Sequence, residues 1–410
     1  MLDVEREMEQ TETNLTSTNT KDAGYYSIVC IFLSTAIQSC FGFARNAPPV
    51  LKLIIAALCW LACFFAVRNN QTWRLYPQYV KVLFSVLFLD VFGAFVHAMW
   101  SGMVAEGEKY VVLMTSMATT LNVVSVLFVF VITQYSHLRE ILRGTILLFI
   151  LNIFLLIFNF RVSTGSYFLS YFMIYSAIFL PYINRYKKLL FMGGILMAMF
   201  AFFGGGRQII ISLGFMLMAW IIPRFVSKKW ILLLSLLLLL SPLFYVWLYG
   251  EYYGAIFWRI EANVEDSEEL SGNTRTLLYQ EVTEDIQKRD RFTQWLGQGT
   301  LAHYDSPSFK NEYRLVVEVP VLQWIMQCGI LFYVLLTILC AAAVIYIYIY
   351  GQNRLMETVS ILLGAFFFMC HVSNFMGCNT MHLGFWGMLG MAFNPIFLDS
   401  SDDIVMQELS

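Results

Sequence analysis

The sequence predicts an all-α polytopic membrane protein with about twelve transmembrane helices and one large extracytoplasmic loop between the ninth and the tenth. Three observations carry that expectation. Of 410 residues, 59% are apolar and only 13% are charged, and the mean hydropathy is +0.65, whereas a soluble domain is about one quarter charged. Charge-free runs such as Trp230 to Tyr249 are long enough to cross a hydrocarbon layer of about 30 Å as a helix. One hydrophilic stretch, 250–319, breaks the apolar pattern and is too long for a simple connection between neighbouring helices. A formal net charge of −2 with no dense basic stripe excludes a nucleic-acid partner.

In chain order, a polar tail over 1–25 lacks the basic start and small-residue cleavage site of a signal peptide, so it is expected to remain as a disordered leader. Apolar segments follow at 26–43, 48–67, 80–100, 111–134, 144–159, 168–183, 189–204, 207–223 and 229–249. Residues 26–249 thus hold helices one to nine, and 250–319 form the outer loop. Helices ten to twelve, at 320–350, 355–377 and 380–398, fill 320–398, and 399–410 form a short second tail. The eight cysteines fall in or beside apolar segments with no CxxC pair, so they read as small core side chains rather than a disulfide framework or zinc site.

Twelve crossings place both termini on one side, and Lys and Arg decide which. With the tails cytoplasmic, the inside segments hold fourteen basic residues against five in the short outside loops. The other seven lie in 250–319, whose length exempts it from the rule. Both termini are therefore expected inside and the long loop outside. Within it, Leu277, Leu278, Val282, Ile286, Phe292 and Trp295 recur at spacings near three and four, with Glu281, Glu284, Asp285 and Lys288 between them. That pattern predicts an amphipathic helix, hence a folded loop.

Arg207 ends the run Gly204-Gly205-Gly206 and opens an apolar helix. A guanidinium at membrane depth costs roughly 2.5–3.5 kcal/mol, so its presence there suggests a function. The helix N-terminus beside it has unpaired N–H groups and the positive end of the dipole, and the glycines allow close approach of an oxyanion or phosphate. Snorkelling of Arg207 at a tight turn is the simpler alternative. Arg275, in Asn273-Thr274-Arg275, sits at the start of the amphipathic helix, and arginine suits a diphosphate because its planar fork binds two oxygens. A surface ion pair is the alternative there. Arg161, in a short outer loop, and Arg314, later in the large one, are further guanidiniums on the same side.

Two residues are candidate bases. His303 follows Gly297-Gln298-Gly299 and titrates near neutrality, although a surface or packing role is open. Glu318 precedes Pro320 at the start of helix ten, where burial raises a carboxylate toward the useful range; an acid favoured by the helix dipole is the other reading. His97, His371 and His382 fall in outer halves or ends of helices, and His137 lies inside. Walker, HExxH and GxSxG patterns are absent, and no DxD signature stands in the first outer loop.

This order of features resembles the O-antigen polymerase and O-antigen ligase superfamily. The parts that carry the resemblance are the GlyGlyGlyArg turn opening a helix, Arg275-xxx-Tyr279, Trp295-Leu296-Gly297-Gln298-Gly299-Thr300, and Glu318-Val319-Pro320-Val321-Leu322 with Gly329-Ile330. The resemblance implies a metal-independent glycosyltransferase of the bacterial inner membrane that needs no cofactor. It would polymerise undecaprenyl-diphosphate-linked repeat units of O-antigen, capsule or exopolysaccharide on the outer face. It implies that Arg207 and Arg275, with Arg161 and Arg314, bind the diphosphate, that Glu318 or His303 is the base, and that a chain-length regulator and a flippase are pathway partners. Ligases carry a His-Asn pair where this chain has Glu318-Val319, which favours polymerase over ligase. A transporter or flippase of a lipid-linked anionic solute is the alternative of a different class. Trp295, Tyr304 and Tyr313 are candidates to stack on sugar faces.

Overall fold

Between lipid-embedded helices there is no hydrophobic drive, so small side chains and buried hydroxyls decide which faces meet. The computed structural model describes residues 22–40, 48–100, 106–116, 119–159, 172, 174–202, 207–256, 274–306, 311–317, 319–372 and 378–410. Its first two helices, α1 (Ala23–Cys40) and α2 (Pro49–Arg68), follow that rule. The buried stripe of α2 is Ala56, Cys59, Ala62, Cys63 and Ala66. Against it, Ser27 Oγ donates to the Ala62 carbonyl at 2.8 Å and Ser34 Oγ lies 3.3 Å from Cys59 Sγ. All eight cysteines are free thiols, and all but Cys40 are buried, as their apolar setting implies.

The chain continues through α3 (Gln78–Trp100), α4 (Glu106–Thr115), α5 (Thr120–Val124) with a 3-10 run Ser125–Phe130, α6 (Tyr135–Asn159), α7 (Arg185–Phe202), α8 (Arg207–Phe225) and α9 (Lys228–Ile256). The long loop contributes α10 (Thr274–Lys288), α11 (Arg291–Leu296) and a hairpin of β1 (Tyr304–Ser306) and β2 (Asn311–Arg314). Then come α12 (Pro320–Tyr350), α13 (Arg354–Val372), α14 (Thr380–Met391), α15 (Pro395–Leu398) and α16 (Asp402–Leu409). Among the described residues, five helices are long and apolar enough to cross a membrane: α1, α2, α3, α12 and α13. The chain is thus a helical protein with several membrane-spanning candidates. Most residues of α13 are buried, because α8, α9 and α12 all pack on it.

Several expected boundaries move. The apolar segment 111–134 is not one helix: α4 stops at Thr115, and 120–130 form a buried α/3-10 run packed on α14. Thr119, Thr120, Asn122 and Ser125 supply the reason, since short polar side chains compete for backbone groups; Ser125 Oγ donates to the Asn122 carbonyl. The segment 380–398 breaks after Met391, where the Asn394 side chain caps a new turn at 3.1 Å from Ile396 N and Pro395 cannot extend the previous helix. The helix expected to end at 249 runs on to Ile256, so the loop begins later than 250. The 399–410 tail is a docked helix, with Val405 and Leu409 buried.

Both described ends of the chain meet at the start of α6. His137 lies 2.8 Å from Asp22 and Arg139 lies 3.6 Å from Glu408. The Thr133 N–H donates to His137 Nδ1 at 3.2 Å, which leaves Nε2–H to donate to Asp22. Burial alone would raise the Asp22 pKa; the hydrogen bond from His137, with those from the N–H groups of Tyr25 and Gly24, outweighs it and holds the carboxyl below its ordinary value. The same end gathers Lys187, bonded to the Ser410 carbonyl, and Lys228, bonded to that of Gly351.

Candidate functional site at the loop end of the bundle

The amphipathic pattern of α10 does what its spacing predicts. Leu278 and Val282 are fully buried in a small core with Ala302, Tyr304, Val317, Val319, Leu322 and Met326. The loop is therefore folded and seated on the first turns of α12. The helix does not continue to Trp295, however. It ends at Lys288, Asp290 accepts from Thr293 N at 3.1 Å to cap α11, and Phe292 (71% exposed) and Trp295 (52%) face outward.

One turn beyond Arg275, Tyr279 donates its hydroxyl to the His371 carbonyl at 2.7 Å, satisfying an acceptor that the end of α13 leaves open. His371 Nδ1 is 2.8 Å from the Phe367 carbonyl and must donate to it, so Nε2 accepts from Tyr333 OH at 3.1 Å. α8 runs antiparallel to α13: Phe215 and Phe368 meet edge to face with centroids 5.6 Å apart, while further along Thr358 Oγ1 donates to the Ala219 carbonyl at 3.2 Å. The Arg207 end of α8 consequently lies at the His371 end of α13, the end that Tyr279 reaches from α10. The backbone thus brings the two arginine-bearing helix starts to one end of the bundle. The side chains of Arg207, Arg275 and Tyr313, and the residues Arg161 and Glu318, lie outside the described residues.

The Gly-x-Gly stretch splices the loop into a broken helix. Gly329 has φ 79° and ψ −178° inside α12, and the Gln298 and Gly299 N–H groups donate to the Met326 and Gln327 carbonyls at 2.9 and 3.0 Å. Thr300 N bonds to the Ala94 carbonyl of α3 at 3.1 Å, and Gln327 Nε2 donates back to the Thr300 carbonyl at 2.8 Å. His97 Nδ1 donates to the Gln298 carbonyl at 2.8 Å. Gly297 (φ 74°) and Gly299 (φ 91°) take backbone shapes that L side chains resist. A Cβ on Gly329 would stand 2.1 Å from the Trp295 carbonyl oxygen.

His303 lies just beyond this splice, half-buried. Its N–H donates to Gln298 Oε1 at 3.3 Å, and Arg289, itself clamped on Asp285 at 2.6 and 2.9 Å, donates to its carbonyl at 3.0 Å. Burial, then the charge of Arg289, lowers the imidazole pKa below its ordinary value and keeps it neutral. Arg314 pairs in register with Tyr304, its guanidinium 6.0 Å from the ring centroid. Tyr304 is fully buried and has no face for a sugar, in contrast to the expectation; Trp295 does.

Tyr333 and the roles of Tyr279 and His371 escape the sequence, because nothing local in a leucine-rich helix marks which aromatic meets another helix end. Among the described residues no three metal-binding side chains converge. A hollow of about 700 Å³ lined by Ser227, Lys228, Lys229, Tyr348 and Ile349 lies at the opposite end of the bundle, away from this chemistry. Comparison with known proteins adds no relative: no family model, characterised protein or solved structure matches the chain.

Proposed function

We propose that the chain is a membrane glycosyltransferase that polymerises undecaprenyl-diphosphate-linked repeat units of a bacterial surface polysaccharide. In this reading it crosses the inner membrane twelve times, with both termini cytoplasmic and the loop outside. The supporting observation is the convergence of the helix starts bearing Arg207 and Arg275 on the His371 end of α13. The reaction needs little else. An acceptor hydroxyl oxygen attacks the anomeric carbon, the bond from that carbon to the lipid diphosphate breaks, and a base takes the hydroxyl proton. The diphosphate is already a good leaving group, so stabilising its charge and positioning the acceptor are the main tasks. Guanidiniums serve the first. Neutral His303 is one base in reach of the loop, and Glu318 is the other candidate.

The break in α12 at Gly329 favours a second reading, since discontinuous helices line the solute sites of transporters. Deletion of the gene distinguishes the classes on one gel. A polymerase deletion loses long chains while single repeat units still reach the final acceptor, and this is the outcome expected. Full-length chains stranded on the lipid carrier would identify a ligase, and single units held on the inner leaflet a transporter. Within the polymerase reading, Arg207→Lys and Arg275→Lys should each cut chain formation at least tenfold at normal expression, because the ammonium lacks the bidentate fork. Parental chain length in both variants would remove the diphosphate assignment.

A further inference from the structure

α3 carries a single acid, Asp90, midway between Lys81 and Trp100 in one of the five helices able to span a membrane. An ionised carboxylate at that depth is costly unless paired, which makes it a functional residue by default. The buried face of α3 is Leu87, Val91, Ala94 and Ala98; Asp90 flanks it, and His97 lies two turns further out on the same side. That face packs on α12, and the carbonyl of Ala94, one turn on from Asp90, accepts the Thr300 N–H at 3.1 Å while the adjoining Gly299 N–H bonds to the Gln327 carbonyl at 3.0 Å. The carboxyl therefore stands beside the break at Gly329.

The packing around it offers no counter-charge. Asp90 Oδ2 is sealed from solvent and accepts no hydrogen bond among the described residues. The loop residues Gly297 to Thr300 and all of α5 carry no titratable group, and α12 carries no charged side chain: near the break it has the Cys328 thiol and the Tyr333 phenol, the latter bonded to His371, with Cys340, Tyr346, Tyr348 and Tyr350 further along. α4 has Glu106, Glu108, Lys109 and Tyr110 in its first half, at the outer end where the chain has just left Trp100. His97 is committed to the Gln298 carbonyl. In the same layer the fully buried Gln327 keeps its Oε1 without a donor.

We propose that Asp90 is a proton-binding site within the membrane layer, its carboxyl protonated beside the break in α12. A proton removes the unpaired charge and supplies an O–H donor where the Gln327 amide oxygen lacks one. Because the splice that anchors the outer loop uses the same stretch of α12 and α3, this site makes the loop's anchor proton-linked. The inference is independent of the reaction proposed above.

Infrared difference spectroscopy on the full chain in lipid decides it. At neutral pH, wild type minus Asp90→Asn should show loss of the carbonyl stretch of an unionised carboxylic acid, and the band should bleach as the pH is made strongly alkaline. Wild type minus Asp90→Glu should show that same band displaced, which guards against a misfolded Asn variant. Loss of a carboxylate stretch instead, in either difference spectrum at neutral pH, would overturn the proposal and mean that the charge is held by an ion or a partner.

Discussion

An imidazole acts as a general base only in its neutral form, and the pKa of His303, the candidate base of the proposed reaction, is lowered by two separable causes, burial first and the charge of Arg289 second. The sign follows directly. A lowered pKa puts the acid limb of a kcat/KM profile below the ordinary imidazole value of about 6.5, so activity should persist to mildly acidic pH. Arg289→Gln removes the second cause, and the limb should move up toward that value with little change on the alkaline side. His303→Ala should abolish the limb and cut the rate roughly 10²-fold. A profile unchanged in both variants would leave Glu318 as the candidate base of the proposed reaction. At this scale the sequence is informative about type and silent about setting. It shows a titratable imidazole after a Gly-x-Gly, yet the causes that tune it come from Arg289, fourteen residues upstream and brought back by the fold of α10 onto the hairpin.

The elements carry a different lesson, centred on the break in α12. A 31-residue apolar stretch reads as one long helix, and no local signal except Gly329 marks the interruption. What breaks it is distant: the Trp295-to-Thr300 segment occupies the space a straight helix would fill and takes over the Met326 and Gln327 carbonyls. Gly297 and Gly329 combine a positive φ with an extended ψ, a region essentially confined to glycine, where a side chain costs about 1–3 kcal/mol before any clash. Their Cβ atoms would meet backbone at 2.3 and 2.1 Å, so both the strain and the collision must be relieved by moving the loop off the helix. Gly329→Ala and Gly297→Ala should therefore lower the thermal midpoint by several degrees and speed proteolytic cleavage within the loop. Gly93→Ala is the control, because its Cβ meets nothing within 4 Å. Equal midpoints for all three would mean that the splice does not hold the loop. The amphipathic period of α10 was legible because one of its faces meets water. The membrane helices gave length and composition but no facing, since lipid is as apolar as the protein interior.

At the scale of the molecule, two ends with different chemistry emerge. One holds the Asp22–His137 pair, the docked C-terminal helix, Arg139, Lys187 and Lys228; the other holds the folded loop and the Tyr279–His371–Tyr333 chain. The orientation expected from Lys and Arg places the first end in the cytoplasm, and the proposed reaction requires the second to face outward, where no ATP is present. That requirement is directly measurable. Seven of the eight cysteines are buried, so replacing only Cys40 with Ser should leave a protein silent to a membrane-impermeant maleimide. Into that background one new thiol goes at Gln287, on the exposed side of α10, or at Tyr186, 83% exposed at the start of α7. Neither side chain contributes to a buried core, so the fold should tolerate both substitutions. In intact spheroplasts Gln287→Cys should react at once and Tyr186→Cys only after lysis. The reverse order would put the loop in the cytoplasm. It would then place Arg207 and Arg275 on the face where the lipid-linked units are made rather than joined, and a polymerase could not work from there.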